Sequence, residues 1–135
     1  VELAFGALSG WVMALVVDMP DVVRGAGVRS MARIRQAHLD YIIMGVILIA
    51  LGVALPGLPR LWQVLLVAGA WVNPTLFLPL AFNPEAQRKL WYRAITLASF
   101  VSMSAGTVAA AAWALGSSAT QRWPAQLIST RVSGP

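Results

Sequence analysis

One imidazole holds most of the chemical potential of this chain. His38 is the only histidine, there is no cysteine, and the residue stands in Arg33-Ile34-Arg35-Gln36-Ala37-His38-Leu39-Asp40, just before an apolar stretch reaching Pro59. A lone imidazole at the mouth of an apolar helix can ligate a metal or haem iron, shuttle protons, or simply face water among the arginines. A closed zinc site wants about four ligands, which one histidine and no cysteine do not supply. Haem needs only one or two axial protein ligands, so a single histidine suits haem better than a bare metal. Arg33 and Arg35 could pair with propionates, although arginines at a membrane surface also serve orientation.

Other polar groups in the apolar stretches are few. Gln63 and Asn73 fall in the third stretch; Thr96, Ser99, Ser102, Ser104 and Thr107 fall in the fourth, where hydroxyls usually bond back to their own helix. No Asp, Glu, Lys or Arg occupies the middle of any stretch, a group that proton-coupled transporters and ion pumps generally need. Asn73 precedes Pro74, which removes a backbone donor and frees a carbonyl near Ala70. An asparagine there either caps a broken helix or faces a ligand.

The elements that must position these residues are helices in a membrane. The 135 residues are 59% hydrophobic and only 11% charged, whereas soluble domains carry about a quarter charged residues. Four nearly uncharged runs lack the alternation of a barrel strand, and crossing a hydrocarbon core takes roughly 20 helical residues. The reading is an all-α integral membrane protein, a four-transmembrane-helix bundle with spans near 3–19, 39–57, 61–82 and 92–115, followed by a polar tail, 116–135. The first run is short, but it is not read as a signal peptide. Glu2 replaces a basic n-region, and Asp18-Met19-Pro20 replaces a cleavage site.

Local signals refine this picture. The segment 30–37 is expected as a short amphipathic piece on the membrane surface, and Pro56-Gly57-Leu58-Pro59 as a tight turn between antiparallel helices. Small residues recur every four positions at Gly6, Gly10 and Ala14, and again at Ala94, Ala98, Ser102, Gly106, Ala110 and Ala114. Such ladders let backbones approach closely, and both faces are expected to bury against protein, within the bundle or in a homo-oligomer.

The net charge of +5 does not point to nucleic acid, because the basic residues flank apolar runs and meet anionic lipid headgroups. Arg24, Arg29, Arg33, Arg35, Arg88, Lys89 and Arg93 fall in two loops on one side; Arg60, Arg122 and Arg131 fall on the other. The positive-inside rule places the two loops in the cytoplasm and both termini outside. Nine arginines against one lysine fit a GC-rich bacterial genome, hence a bacterial inner membrane.

Ala37-His38-Leu39-Asp40 followed by Met44-Gly45, together with Trp71-Val72-Asn73, resembles the styrene oxide isomerase and hydroxylaminobenzene mutase group over roughly 33–77. The resemblance implies a homotrimer holding haem b between subunits, with His38 as the axial metal ligand. It implies ferric iron acting as a Lewis acid on a hydrophobic aryl epoxide or N-aryl hydroxylamine, which rearranges by a 1,2-shift. Asn73 would face the substrate as the catalytic side chain, with Met44 and Phe77 shaping the pocket.

The chain departs from that pattern where Met44 replaces an asparagine, Phe77 a tyrosine and Gly69 an acidic residue. Losing one such donor typically costs catalysis on the order of 10²–10³ fold, so substrate choice is altered or activity is lost. Two other classes stand beside this reading. One is a non-catalytic membrane subunit docking onto a larger assembly. The other is a small multidrug exporter, whose carboxylate could only be Glu2 at the very end of the first helix.

Overall fold

The computed structural model describes residues 1–120. Helix α1 spans Glu2–Asp18, α2 Pro20–Gly25, α3 Met31–Ala54, α4 Arg60–Thr75 and α5 Phe77–Phe82; a 3-10 turn, Pro84–Arg88, leads into α6, Leu90–Thr120. Among the described residues three segments are long and apolar enough to cross a membrane: Met31–Ala54, Arg60–Phe82 and Leu90–Ser117. The all-helical, membrane-type architecture read from composition is therefore present. Helix α1, expected as the fourth span, has 17 residues, roughly 25 Å at about 1.5 Å per residue, against a hydrocarbon core of about 30 Å.

Prolines and glycines set the breaks. Pro20 occupies the first position of α2, where its missing N–H costs nothing, so the chain turns at Met19 rather than extending α1. Gly27 has φ +90°, a conformation that favours glycine, and it turns the chain toward α3. The backbone N–H groups of Arg29 and Ser30 then donate to the Ala81 carbonyl at 2.8 and 3.0 Å, tying this loop to the end of α5. After Ser30 nothing interrupts the helix. The segment 30–37 is thus not a separate surface piece; all but Ser30, its N-cap, forms the first turns of α3.

The third span bends at Leu76, between Pro74 and Pro79, neither of which can donate to the preceding turn. Tyr92 Oη donates to the Leu76 carbonyl at 3.0 Å, so a side chain of α6 ties that helix to the junction of α4 and α5. Asn73 does not cap it: among the described residues its side chain makes no hydrogen bond. The turn at Pro56-Gly57 forms as expected, closed by Leu58 N–H to the Leu55 carbonyl at 3.1 Å.

Helices pack in the order α1, α3, α4, α6, each on the next. Bare backbone lies at each outer crossing. A Cβ on Gly6 would stand 2.9 Å from the Ile42 nitrogen, and one on Gly45 would stand 2.5 Å from the Leu3 nitrogen. Between α4 and α6, a Cβ on Gly69 would fall 2.9 Å from the Met103 nitrogen, and one on Gly106 would fall 2.7 Å from Leu66 Cγ. Close approach of this kind associates helices where lipid is as apolar as protein.

The ladder on α6 is used in part. Gly106 and Ala110 are buried and Ser102 donates to the Leu65 carbonyl at 2.8 Å, but Ala94 and Ala98 are exposed. The hydroxyls also divide. Thr96 and Thr107 bond back to their own helix, whereas Ser99 and Ser102 reach across to carbonyls of α4. In the hairpin region Leu58, Leu66 and Ala110 form a small core with Leu48, Leu51, Leu55, Trp62 and Met103 packed on it.

These crossings predict unequal costs for one substitution. Gly45→Ala and Gly69→Ala should each lower stability by about 1–3 kcal/mol, since backbone must shift. Gly52→Ala, with nothing within 4 Å of its Cβ, should be neutral or stabilising by up to about 1 kcal/mol. Thermal unfolding in detergent measures all three, and equal effects at Gly45 and Gly52 would contradict the packing described.

Candidate functional site

His38 lies two turns into α3, where the polar start of the helix gives way to its apolar run. The ring is half-buried and faces α1. Its Nδ1 stands 2.9 Å from Ser9 Oγ, and that hydroxyl donates to the Gly6 carbonyl at 2.7 Å. A Cβ on Gly10 would touch His38 Cε1 at 3.6 Å, so the bare glycine surface leaves ordinary contact distance for the ring. The imidazole is therefore bonded across to a neighbouring helix rather than standing free among arginines. The small-residue stripe of α1 makes the seat: Gly6 brings the helices together and Ser9 meets the ring.

One turn deeper, three aromatic rings join α1, α3 and α4. Phe5 meets Tyr41 edge-on with centroids 4.7 Å apart, and Trp71 lies 5.7 Å from Phe5 and 5.8 Å from Tyr41. Tyr41 is only 4% exposed, and its Oη lies 2.5 Å from Thr75 Oγ1. Thr75 donates to the Trp71 carbonyl at 2.7 Å, which leaves the tyrosine as the donor to Thr75. The rings pack against one another and join the three helices.

The other residues singled out in the sequence do not gather at the imidazole within one chain. Met44 is half-buried on the same continuous helix. Six residues on, it sits about 9 Å along the axis and roughly 120° around it, so it does not share the face of His38. Asn73 is half-buried one turn after Gly69, on the side of α4 that meets α6, whereas Trp71 and Thr75 face α1 and α3. Phe77 opens α5, half-buried, with the Arg33 guanidinium 5.8 Å from its ring centroid. Arg33 also donates to Gln36 Oε1 at 2.9 Å.

Arg35 differs from Arg33. It is exposed, lies one turn before His38 on α3, and takes part in no ion pair among the described residues, where the pairs are Arg24–Asp21 and Arg88–Glu85. Gly69, where the resemblance leads one to expect an acid, is sealed. Any side chain there would collide with the Met103 backbone, and Ser99 Oγ donates to the Gly69 carbonyl at 3.3 Å. Glu2, at the end of α1, is 3% exposed, and neither carboxylate oxygen has a partner among the described residues. An ionised carboxylate buried in this way is costly.

The donor set bears on what His38 could hold. Among the described residues no group of three or more His, Cys, Asp or Glu side chains converges, which is a poor set for a bare metal and compatible with a haem needing one axial nitrogen. No family model, curated protein or solved structure matches the chain.

Sequence reasoning missed Ser9, Tyr41 and Thr75. Ser9 is the only hydroxyl in the first apolar run and falls between Gly6 and Gly10, which was the available signal. The pairing of Tyr41 with Thr75 spans 34 positions and has no local signature. A double-mutant cycle with Tyr41→Phe and Thr75→Val should return a coupling of about 0.5–1.5 kcal/mol in detergent unfolding. Strict additivity would show that the hydroxyls do not interact.

Proposed function

We propose that this chain is a membrane haem b-binding protein in which the imidazole of His38 supplies the axial nitrogen, similar to the styrene oxide isomerase and hydroxylaminobenzene mutase group. The observation that carries the reading is the hydrogen bond between the His38 ring and Ser9 across the α1–α3 crossing. Metal-binding histidines almost always have their other ring nitrogen held in this way. In this reading α1 is a fourth membrane-embedded helix, Arg35 pairs with a propionate, and the apolar spans keep water from the site. The basic loops then face the cytoplasm of a bacterial cell, with both termini outside.

His38 is only half-buried, so the site calls for a cover, and a second copy of the chain in a homotrimer is the cover this reading assigns. When bound, haem would supply a Lewis-acidic iron suited to rearranging a small hydrophobic aryl epoxide or N-aryl hydroxylamine. The polar side chains that would steer such a reaction are thin here. Asn73 lies on the α6 side, Met44 and Phe77 are apolar, and the crossing at Gly69 excludes an acid. Binding with altered or lost isomerase activity is therefore the form proposed, with Asn73 positioned to act on a substrate only from a neighbouring subunit.

One observation favours the other reading, a non-catalytic subunit of a larger assembly. Ala94 and Ala98 leave the upper part of the α6 ladder exposed, and a cleft of about 280 Å³ opens there among Ala68, Val72, Ile95 and Ser102.

Protein purified in detergent from haem-replete cells should show a Soret absorption band, and His38→Ala should abolish it while leaving the helical circular dichroism unchanged. A colourless, fully folded wild-type preparation would remove the haem reading. A fixed partner co-purifying with that colourless protein would establish the subunit reading instead.

A further inference from the structure

We infer that Ser9 is the positioning residue that locks His38 in the Nδ1–H tautomer, leaving Nε2 as a standing electron-pair donor. The assignment follows from proton counting on two short contacts. Ser9 Oγ lies 2.7 Å from the Gly6 carbonyl oxygen and 2.9 Å from His38 Nδ1, and the hydroxyl has one proton. If that proton went to Nδ1, two oxygens would face each other at 2.7 Å with nothing between them. Donated to the Gly6 carbonyl, as helical serines commonly do, it leaves an oxygen lone pair pointing at the ring. Both contacts are then satisfied only when Nδ1 carries the proton. In the neutral ring Nε2 is then unprotonated, the form required of a ligand.

The arrangement also sets the character of that donor. A carboxylate on Nδ1–H would push electron density into the ring and make Nε2 strongly basic. A serine whose own proton is committed to a backbone carbonyl is a neutral acceptor, and it pushes less. Ser9 therefore fixes the ring's orientation and tautomer while leaving a ligated iron more electron-poor, which is the poise a Lewis acid needs. The effect on a bound iron rests on the haem reading; the tautomer does not.

Because His38 is the only histidine, nitrogen NMR reports on it without assignment. In ¹⁵N-labelled full-length protein from haem-depleted cells, wild type should give the shifts of an Nδ1–H ring, and Ser9→Thr should keep them. Ser9→Ala should lose them in favour of Nε2–H or a mixture. An Nε2–H wild type overturns the inference, as does a Ser9→Ala protein identical to wild type.

In the haem-loaded protein, Ser9→Ala should weaken haem affinity by about 10–100-fold, with Ser9→Thr restoring it. Ser9→Asp should lower the iron reduction potential relative to wild type; an unchanged or raised potential counts against the neutral-acceptor role. A protein that binds no haem yet shows the Nδ1–H ring sinks the haem reading and leaves Ser9's role intact. Haem binding indifferent to Ser9→Ala does the reverse.

Discussion

The close crossing of α1 over α3 is the constraint on which the rest of the site depends. At Gly6 and Gly45 each helix presents bare backbone to the other, and a methyl group at either position would lie within 3 Å of a main-chain nitrogen. Only at this separation does Ser9 reach the His38 ring and Phe5 lie edge-on to Tyr41. Helices in lipid gain little from burying apolar surface, because the tails are equally apolar. Geometric fit and a few hydrogen bonds must hold them, and here one set of small residues supplies both.

The second crossing, of α4 on α6, works by the same physics with a different consequence. Gly69 and Gly106 admit Met103 and Leu66, and Ser99 and Ser102 reach carbonyls on the facing helix. These two hydroxyls thereby find acceptors across the crossing, as a polar group at membrane depth should. The packing that tightens these helices also occupies the space where a charged side chain would otherwise stand. This close crossing and a side chain at position 69 are mutually exclusive, so the proposed chemistry centres on α1 and α3.

How much of this was legible in the sequence follows from the range of each signal. Composition and run length are local and strong, so the all-helical architecture and three apolar spans could be read directly. Of the stripe on α1, Gly6 is buried and Gly10 half-buried at the crossing while Ala14 is exposed, and Pro56-Gly57 forms the expected turn. The start of α3 was misplaced because Arg33, Arg35 and Gln36 looked like a surface segment, although nothing in that stretch breaks a helix. On α6 the lower ladder, Gly106 and Ala110, is buried within the chain, whereas Ala94 and Ala98 are exposed there, because a four-residue repeat does not say where two helices of one chain diverge. Which polar groups meet was least visible. Ser9 with His38 and Tyr41 with Thr75 join residues 29 and 34 positions apart, and such pairings follow from helix arrangement alone.

The central claim is that the His38 ring, held at Nδ1 by α1, gives its other nitrogen to a haem iron. Pulsed electron paramagnetic resonance on ferric protein, grown with either ¹⁴N- or ¹⁵N-histidine, addresses it most directly, since one residue accounts for every histidine nitrogen. The account predicts a hyperfine coupling from one imidazole nitrogen that changes with the isotope. Spectra indistinguishable between the two preparations would contradict it.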